Sequence, residues 1–124
     1  LDDWCDKRRQ KALYYTEKMK GFDLVTPKIM RFNKHVFHQY VIRVKERDRL
    51  MEHLQANNIG CAVYYPVPQH LQECMADLGY KEGDMPETEK AAKETLALPV
   101  FPEITREEQD YVIESIKDFF SASA

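Results

Sequence analysis

The sequence predicts a small α/β domain of the two-layer, α+β kind: a small, mostly antiparallel sheet with helices packed mainly on one face. Three observations predict it. The chain has 124 residues, 44% of them hydrophobic, which suits one domain around one core. Several stretches repeat apolar residues at helical spacing, and short alternating or apolar runs lie between them. The resulting order is helix, strand, helix, strand, helices, short strand, helix.

The first element is a helix over 1–20. Leu1, Trp4, Ala12, Tyr15 and Met19 fall at three- and four-residue spacings and make an apolar stripe, broken by Arg8. Asp2 and Asp3 suit its start and Gly21 its stop. The next stretch, 22–34, reads as irregular, with a break at Pro27. "HVFHQYVIRV" (35–44) reads as the best strand, with Val36, Tyr40, Ile42 and Val44 on one face and His38 beside them. Residues 46–58 predict an amphipathic helix with Leu50, Met51 and Leu54 inward, and "NNIG" as its exit.

"CAVYY" (61–65) reads as a second short strand, ended by Pro66. "QHLQECMADLGY" (69–80) predicts a short helix with Leu71, Cys74, Met75 and Leu78 inward, and "KEGD" a turn. A further helix over 85–96 begins near Pro86, where proline is tolerated. Residues 96–98 give a short apolar strand, and 99–104 a proline-bounded loop. The clearest helix is 105–120. Thr105 and Glu108 form a capping box, and Val112, Ile116, Phe119 and Phe120 form its stripe. Residues 121–124 read as a frayed end.

Composition narrows the function. A net charge of −3 with no basic stripe argues against nucleic acid. The longest apolar runs are far too short to cross a bilayer, and no signal peptide is predicted. Three cysteines, Cys5, Cys61 and Cys74, form no CxxC pair, which fits a reducing, cytoplasmic setting. P-loop, GxGxxG, GxSxG and HExxH patterns are absent, and four glycines leave little for a phosphate-cradling loop. No metal site is expected, because His35 and His38, three apart on a strand, would face opposite ways. Cys74 lies four residues after His70, but a packed thiol on the helix stripe is the favoured reading. His38 reads as a core-edge histidine, and Arg43, Arg47, Asp48 and Arg49 as a solvated charged face.

One loop stands apart. In "AVYYPVPQH" (62–70), Pro66 and Pro68 each fix φ and push Tyr65 and Val67 toward an extended backbone. A loop stiffened in advance loses less entropy when a ligand arrives. Tyr64 and Tyr65 would leave a strand on opposite faces, so that one at most joins the core and the other offers a flat ring and a hydroxyl. His70 would lie near the start of the next helix, able to donate or accept a hydrogen bond. Residue types alone leave two readings of equal weight: a tight crossover with tyrosine packed on proline, or the rim of a binding site.

Five stretches in register weight that choice. "HQYVIR", "RDRLMEHLQANNIG", "VYYPVPQHLQ", "LGYKEGDMPETEKAAKETLALPVFPEIT" and "YVIESIKDFF" together resemble the C-terminal (small) domain of the DegT/DnrJ/EryC1/StrS aminotransferases. These are pyridoxal-phosphate enzymes of the aspartate-aminotransferase fold type (fold type I), many of them acting on nucleotide-linked keto sugars. The match covers 35–120. The helix with "RRQKALYY" is similar to the one joining the family's two domains. The resemblance implies that 1–21 link to a large domain outside this chain and that 22–124 form the small domain. It implies that the loop borders the active-site cleft, with Tyr65 and His70, and next Tyr64, as substrate-binding residues. Many members carry His where this chain has Tyr64, a departure consistent with a different substrate.

The resemblance also implies what this chain lacks. The Schiff-base lysine, the phosphate-binding turn and the carboxylate facing the pyridine nitrogen belong to the family's large domain. No catalytic residue is therefore expected here, no coenzyme is expected on this chain alone, and transamination is expected only of the full-length protein. There an amino donor, glutamate, supplies nitrogen to the sugar while the lysine moves protons. Relatives work as dimers with shared active sites. Two alternatives stay open: a sugar dehydratase of the same family, with histidine replacing the lysine, and a free-standing ACT-like regulatory or interaction module. The helical pattern already running at Leu1 favours a piece of a longer polypeptide over such a module. A purification cut or proteolysis would give the same start.

Overall fold

The computed structural model describes residues 1–122 as four α-helices, a two-stranded sheet and two short 3-10 helices around one apolar core. Helix α1 (Asp2–Lys18) opens with Asp2 and Asp3, whose charges complement the positive end of its dipole. Its second half is buried through Ala12 and Tyr15, with Met19 just beyond. Leu1 and Trp4, expected on the same stripe, are exposed. Gly21 takes φ +88, which lets the chain turn away where a side chain would be strained.

Strand β1 (Tyr40–Arg43) pairs antiparallel with β2 (Thr95–Leu98), Tyr40 opposite Leu98 and Ile42 opposite Leu96. All four of those side chains are buried in the core. Single bridges extend the ladder on both sides, Val25 to Arg43 and Ala62 to Ala97. Because side chains alternate across a strand, Val41, Thr95 and Ala97 point to the other face.

Helix α2 (Arg47–Ala56) brings Leu50 and Leu54 into the core, and α4 (Arg106–Ala122) brings Val112, Ile113, Ile116 and Phe119. The exit of α2 is a Schellman motif. Asn58 adopts φ +59, its N–H donates to the Gln55 carbonyl and the Ile59 N–H donates to the Leu54 carbonyl. Ile59 and Leu54 share the core, which supplies the hydrophobic contact of that motif. The capping box of α4 forms in both directions: Thr105 N–H donates to Glu108 Oε2 (2.8 Å) and Glu108 N–H to Thr105 Oγ1 (3.1 Å). Ser121 and Ala122 continue α4 rather than fray, and the last two residues of the expected frayed end lie outside those described.

Three expectations need correction. Residues 35–39 are not strand. Phe37 is buried at φ +49 and its N–H donates to His35 Nδ1 (3.0 Å), a turn that breaks the pleat. Val36 and His38 are exposed, so His38 is no core-edge residue. Residues 61–65 make only the one bridge at Ala62. The stretch 69–80 is two 3-10 helices, Gln69–Leu71 and Glu73–Leu78, and Cys74, Met75 and Leu78 are exposed instead of packed. Its helical spacing finds no facing element to bury it, and short i→i+3 bonds such as Leu71 N–H to Pro68 O take over.

Arg47 is the other surprise. Expected on a solvated face, it is 8% exposed. Its Nη1 donates to the carbonyls of Ala92 (3.1 Å) and Thr95 (2.9 Å) at the end of helix α3 (Pro86–Glu94), where α3 runs into β2. One guanidinium thus satisfies two carbonyls left free by the helix end and locks α2 against α3 and β2.

Candidate substrate cleft

The sheet face turned away from the core floors a cleft of about 460 Å³. Val41, Thr95 and Ala97 supply the floor, Thr88, Ala91 and Ala92 of α3 one wall, and the 64–70 loop the other. Small side chains on the floor and α3 leave the room. Tyr64, Tyr65 and His70 all border this one space. The expected division of the two tyrosines between opposite faces does not occur, because no strand runs through 61–65.

The backbone at Tyr65 also departs from expectation. Instead of the extended form favoured before proline, it lies at φ +59. This conformation is a true outlier for a bulky residue. The residue is 68% exposed, so burial does not explain the turn.

His70 sits in the first 3-10 helix and is only 7% exposed. Its Nε2 lies 3.0 Å from Glu89 Oε1 on α3, and its ring meets Tyr80 edge-on at 6.2 Å between centroids. Glu89, itself buried, also accepts the Gly83 N–H on both carboxylate oxygens (2.9 and 3.0 Å) and, at 3.4 Å, the Met85 N–H. The bond from His70 and those from the two backbone N–H groups outweigh desolvation and hold the Glu89 carboxyl below its ordinary range. His70 Nδ1 is buried and has no protein partner.

Sequence reasoning named Tyr64, Tyr65 and His70, which the structure brings to one cleft, and did not name Glu89. The signal was present: Glu89 stands three residues before Ala92 on the inward side of α3, and a charge on a buried stripe needs a partner. The expected packing of Cys74 near His70 is absent. The Cys74 thiol is exposed, 3.7 Å from Gln72 Oε1. Among the described residues no group of three or more His, Cys, Asp and Glu could hold a metal, and no helix is long and apolar enough to cross a membrane.

A loop of aromatic hydroxyls and imidazole above a small-residue floor, on a two-layer α+β frame, makes a ligand-sized cleft on a small mixed domain, and the structures it resembles are fold type I aminotransferases. The sequence model of the DegT/DnrJ/EryC1/StrS aminotransferase family matches residues 1–117, and the chain belongs to that family. It is 51% identical over 123 residues to the "pleiotropic regulatory protein" of Geobacillus stearothermophilus, covering 97% of this chain and 33% of that protein. Over 119 residues it is 33% identical to the dTDP-3-amino-3,6-dideoxy-alpha-D-galactopyranose transaminase of Aneurinibacillus thermoaerophilus, covering 96% of this chain and 32% of that enzyme. In three dimensions it is similar to S. venezuelae DesV, solved in complex with a ketimine intermediate. The TM-score is 0.92 at 30% identity, over 95% of this chain and 32% of DesV. The chain spans about a third of the length of the relatives it matches.

Proposed function

We propose that this chain is the sugar-side wall of a pyridoxal-phosphate-dependent aminotransferase that moves an amino group from glutamate to a keto sugar carried on a nucleotide. The observation that carries the reading is the meeting of Tyr64, Tyr65 and His70 on one cleft. Two phenol hydroxyls and an imidazole are neutral donors and acceptors, the chemistry that a ring of sugar hydroxyls calls for. The transaminase from A. thermoaerophilus, named for a dTDP-linked amino sugar, supports this substrate class.

The cleft's donor set does not fit the coenzyme itself. No lysine and no arginine lines it, so these residues offer neither an imine-forming amine nor a clamp for a phosphate. The coenzyme, as electron sink, would belong to the remaining two thirds of a protein of the relatives' length. On this reading residues 1–21 lead in from the large domain, 22–124 are the small domain, and the chain alone is inactive. The parent is a cytoplasmic homodimer. Tyr64 and Tyr65 bind and orient the sugar, and the rigid floor of β1, β2 and α3 keeps that orientation while water is excluded.

The two halves of the reaction separate this role from a structural one. In the full-length protein, Tyr65→Phe and Tyr64→Phe remove one hydroxyl each. Apparent affinity in the half that consumes keto sugar should fall about tenfold, the equivalent of ~1.4 kcal/mol. The half that consumes glutamate should keep its rate. Equal loss in both halves, or none in either, would reject the assignment.

A further inference from the structure

Three facts about His70 and Glu89 determine where a proton sits. Glu89 already accepts from the Gly83 and Met85 N–H groups, so its carboxylate acts as an acceptor. An ordinary glutamate is ionised at neutral pH, and the Gly83 and Met85 N–H groups favour the charged form further. An ionised carboxylate has no proton to give, so the contact from His70 Nε2 must be an Nε2–H donating to Oε1. In the neutral ring that leaves Nδ1 bare, with a lone pair and no hydrogen. This same atom is the buried one with no protein partner, on a residue that lines the cleft. A buried acceptor without a partner is uncommon in folded proteins and calls for an explanation.

We propose that Glu89 is a positioning residue that fixes His70 as the Nε2–H tautomer and so reserves Nδ1 as the acceptor for a hydroxyl or N–H of the ligand in the cleft. The ligand being a sugar rests on the function proposed above; the tautomer does not. Glu89 does this from α3 while also tying down the 83–85 turn, so one carboxylate sets both the ring's proton and the end of the segment that follows the loop. Carboxylates that orient a histidine in this way govern what its other nitrogen can do.

The test uses the full-length protein labelled with 15N-histidine and two-bond 1H–15N correlation. The His70 signals, assigned by their loss in His70→Gln, should show a protonated Nε2 and an unprotonated Nδ1. In Glu89→Leu, which removes the acceptor where Glu89→Gln would keep an amide oxygen, the ring should relax toward a mixture of the two tautomers. A protonated Nδ1 in the wild type, or an unchanged tautomer in Glu89→Leu, overturns the proposal.

Binding of dTDP-glucose supplies the second arm. His70→Asn places an amide oxygen near the position of Nδ1 and gives up the bond to Glu89. His70→Gln places an amide N–H near Nε2, keeps the bond to Glu89 and gives up the acceptor. The proposal expects His70→Asn to bind at least tenfold more tightly than His70→Gln. A merely structural histidine would give the reverse order, and that order overturns the acceptor role. If dTDP-glucose leaves the wild-type His70 signals unmoved, the sugar reading fails and the tautomer alone decides the role of Glu89.

Discussion

Tyr65 holds a left-handed backbone with a bulky side chain and no glycine to ease it. Such conformations cost L-residues roughly 1–2 kcal/mol, and they persist where the surroundings impose them. Because the residue is largely exposed, little burial offsets the cost. Asparagine tolerates this backbone better than tyrosine. Tyr65→Asn should therefore raise stability in urea unfolding by about 0.5–1 kcal/mol while weakening ligand binding. A loss of stability would mean that the tyrosine ring is held for packing. The family's loop pattern in the sequence singled out Tyr65, and the structure places it on the cleft. Its φ was not, since the rule for residues before proline points to the extended region and only the path of the whole loop overrides it.

Among the elements, α2, α4 and the capping box were legible because each is encoded locally. Thr105 and Glu108 are three apart, and the apolar stripes repeat within one helix. The element that failed, 69–80, carries helical spacing but no surface to pack on, and spacing without burial does not sustain a helix. Arg47 failed for the opposite reason. Its partners lie 45 and 48 residues away, beyond any local pattern. Arg47→Met keeps the length of the side chain but leaves the carbonyls of Ala92 and Thr95 without their donor. Stability should drop by about 2–3 kcal/mol, the scale of hydrogen bonds to a charged group. Urea unfolding checks it, and a drop below about 0.5 kcal/mol would show that water replaces the guanidinium. With α3 loosened from α2, the cleft wall that holds Glu89 should also yield.

At the scale of the molecule, one small sheet serves two purposes. Tyr40, Ile42, Leu96 and Leu98 face the core, and Val41, Thr95 and Ala97 face the cleft. The α+β layering and the antiparallel pairing followed from the sequence, but the alternation that gives the sheet its second face emerged only with the register of β1 on β2. That arrangement gives one sheet a buried face and a cleft-lining face, the form the proposed role as a wall requires. The measurement that tests the account most directly follows nitrogen. The full-length protein is given 15N-glutamate and a dTDP-linked keto sugar, and the sugar product is weighed by mass spectrometry. The account predicts one 15N atom in each sugar formed, matched by one 2-oxoglutarate. A sugar that loses water and gains no nitrogen, or no turnover at all, would contradict it.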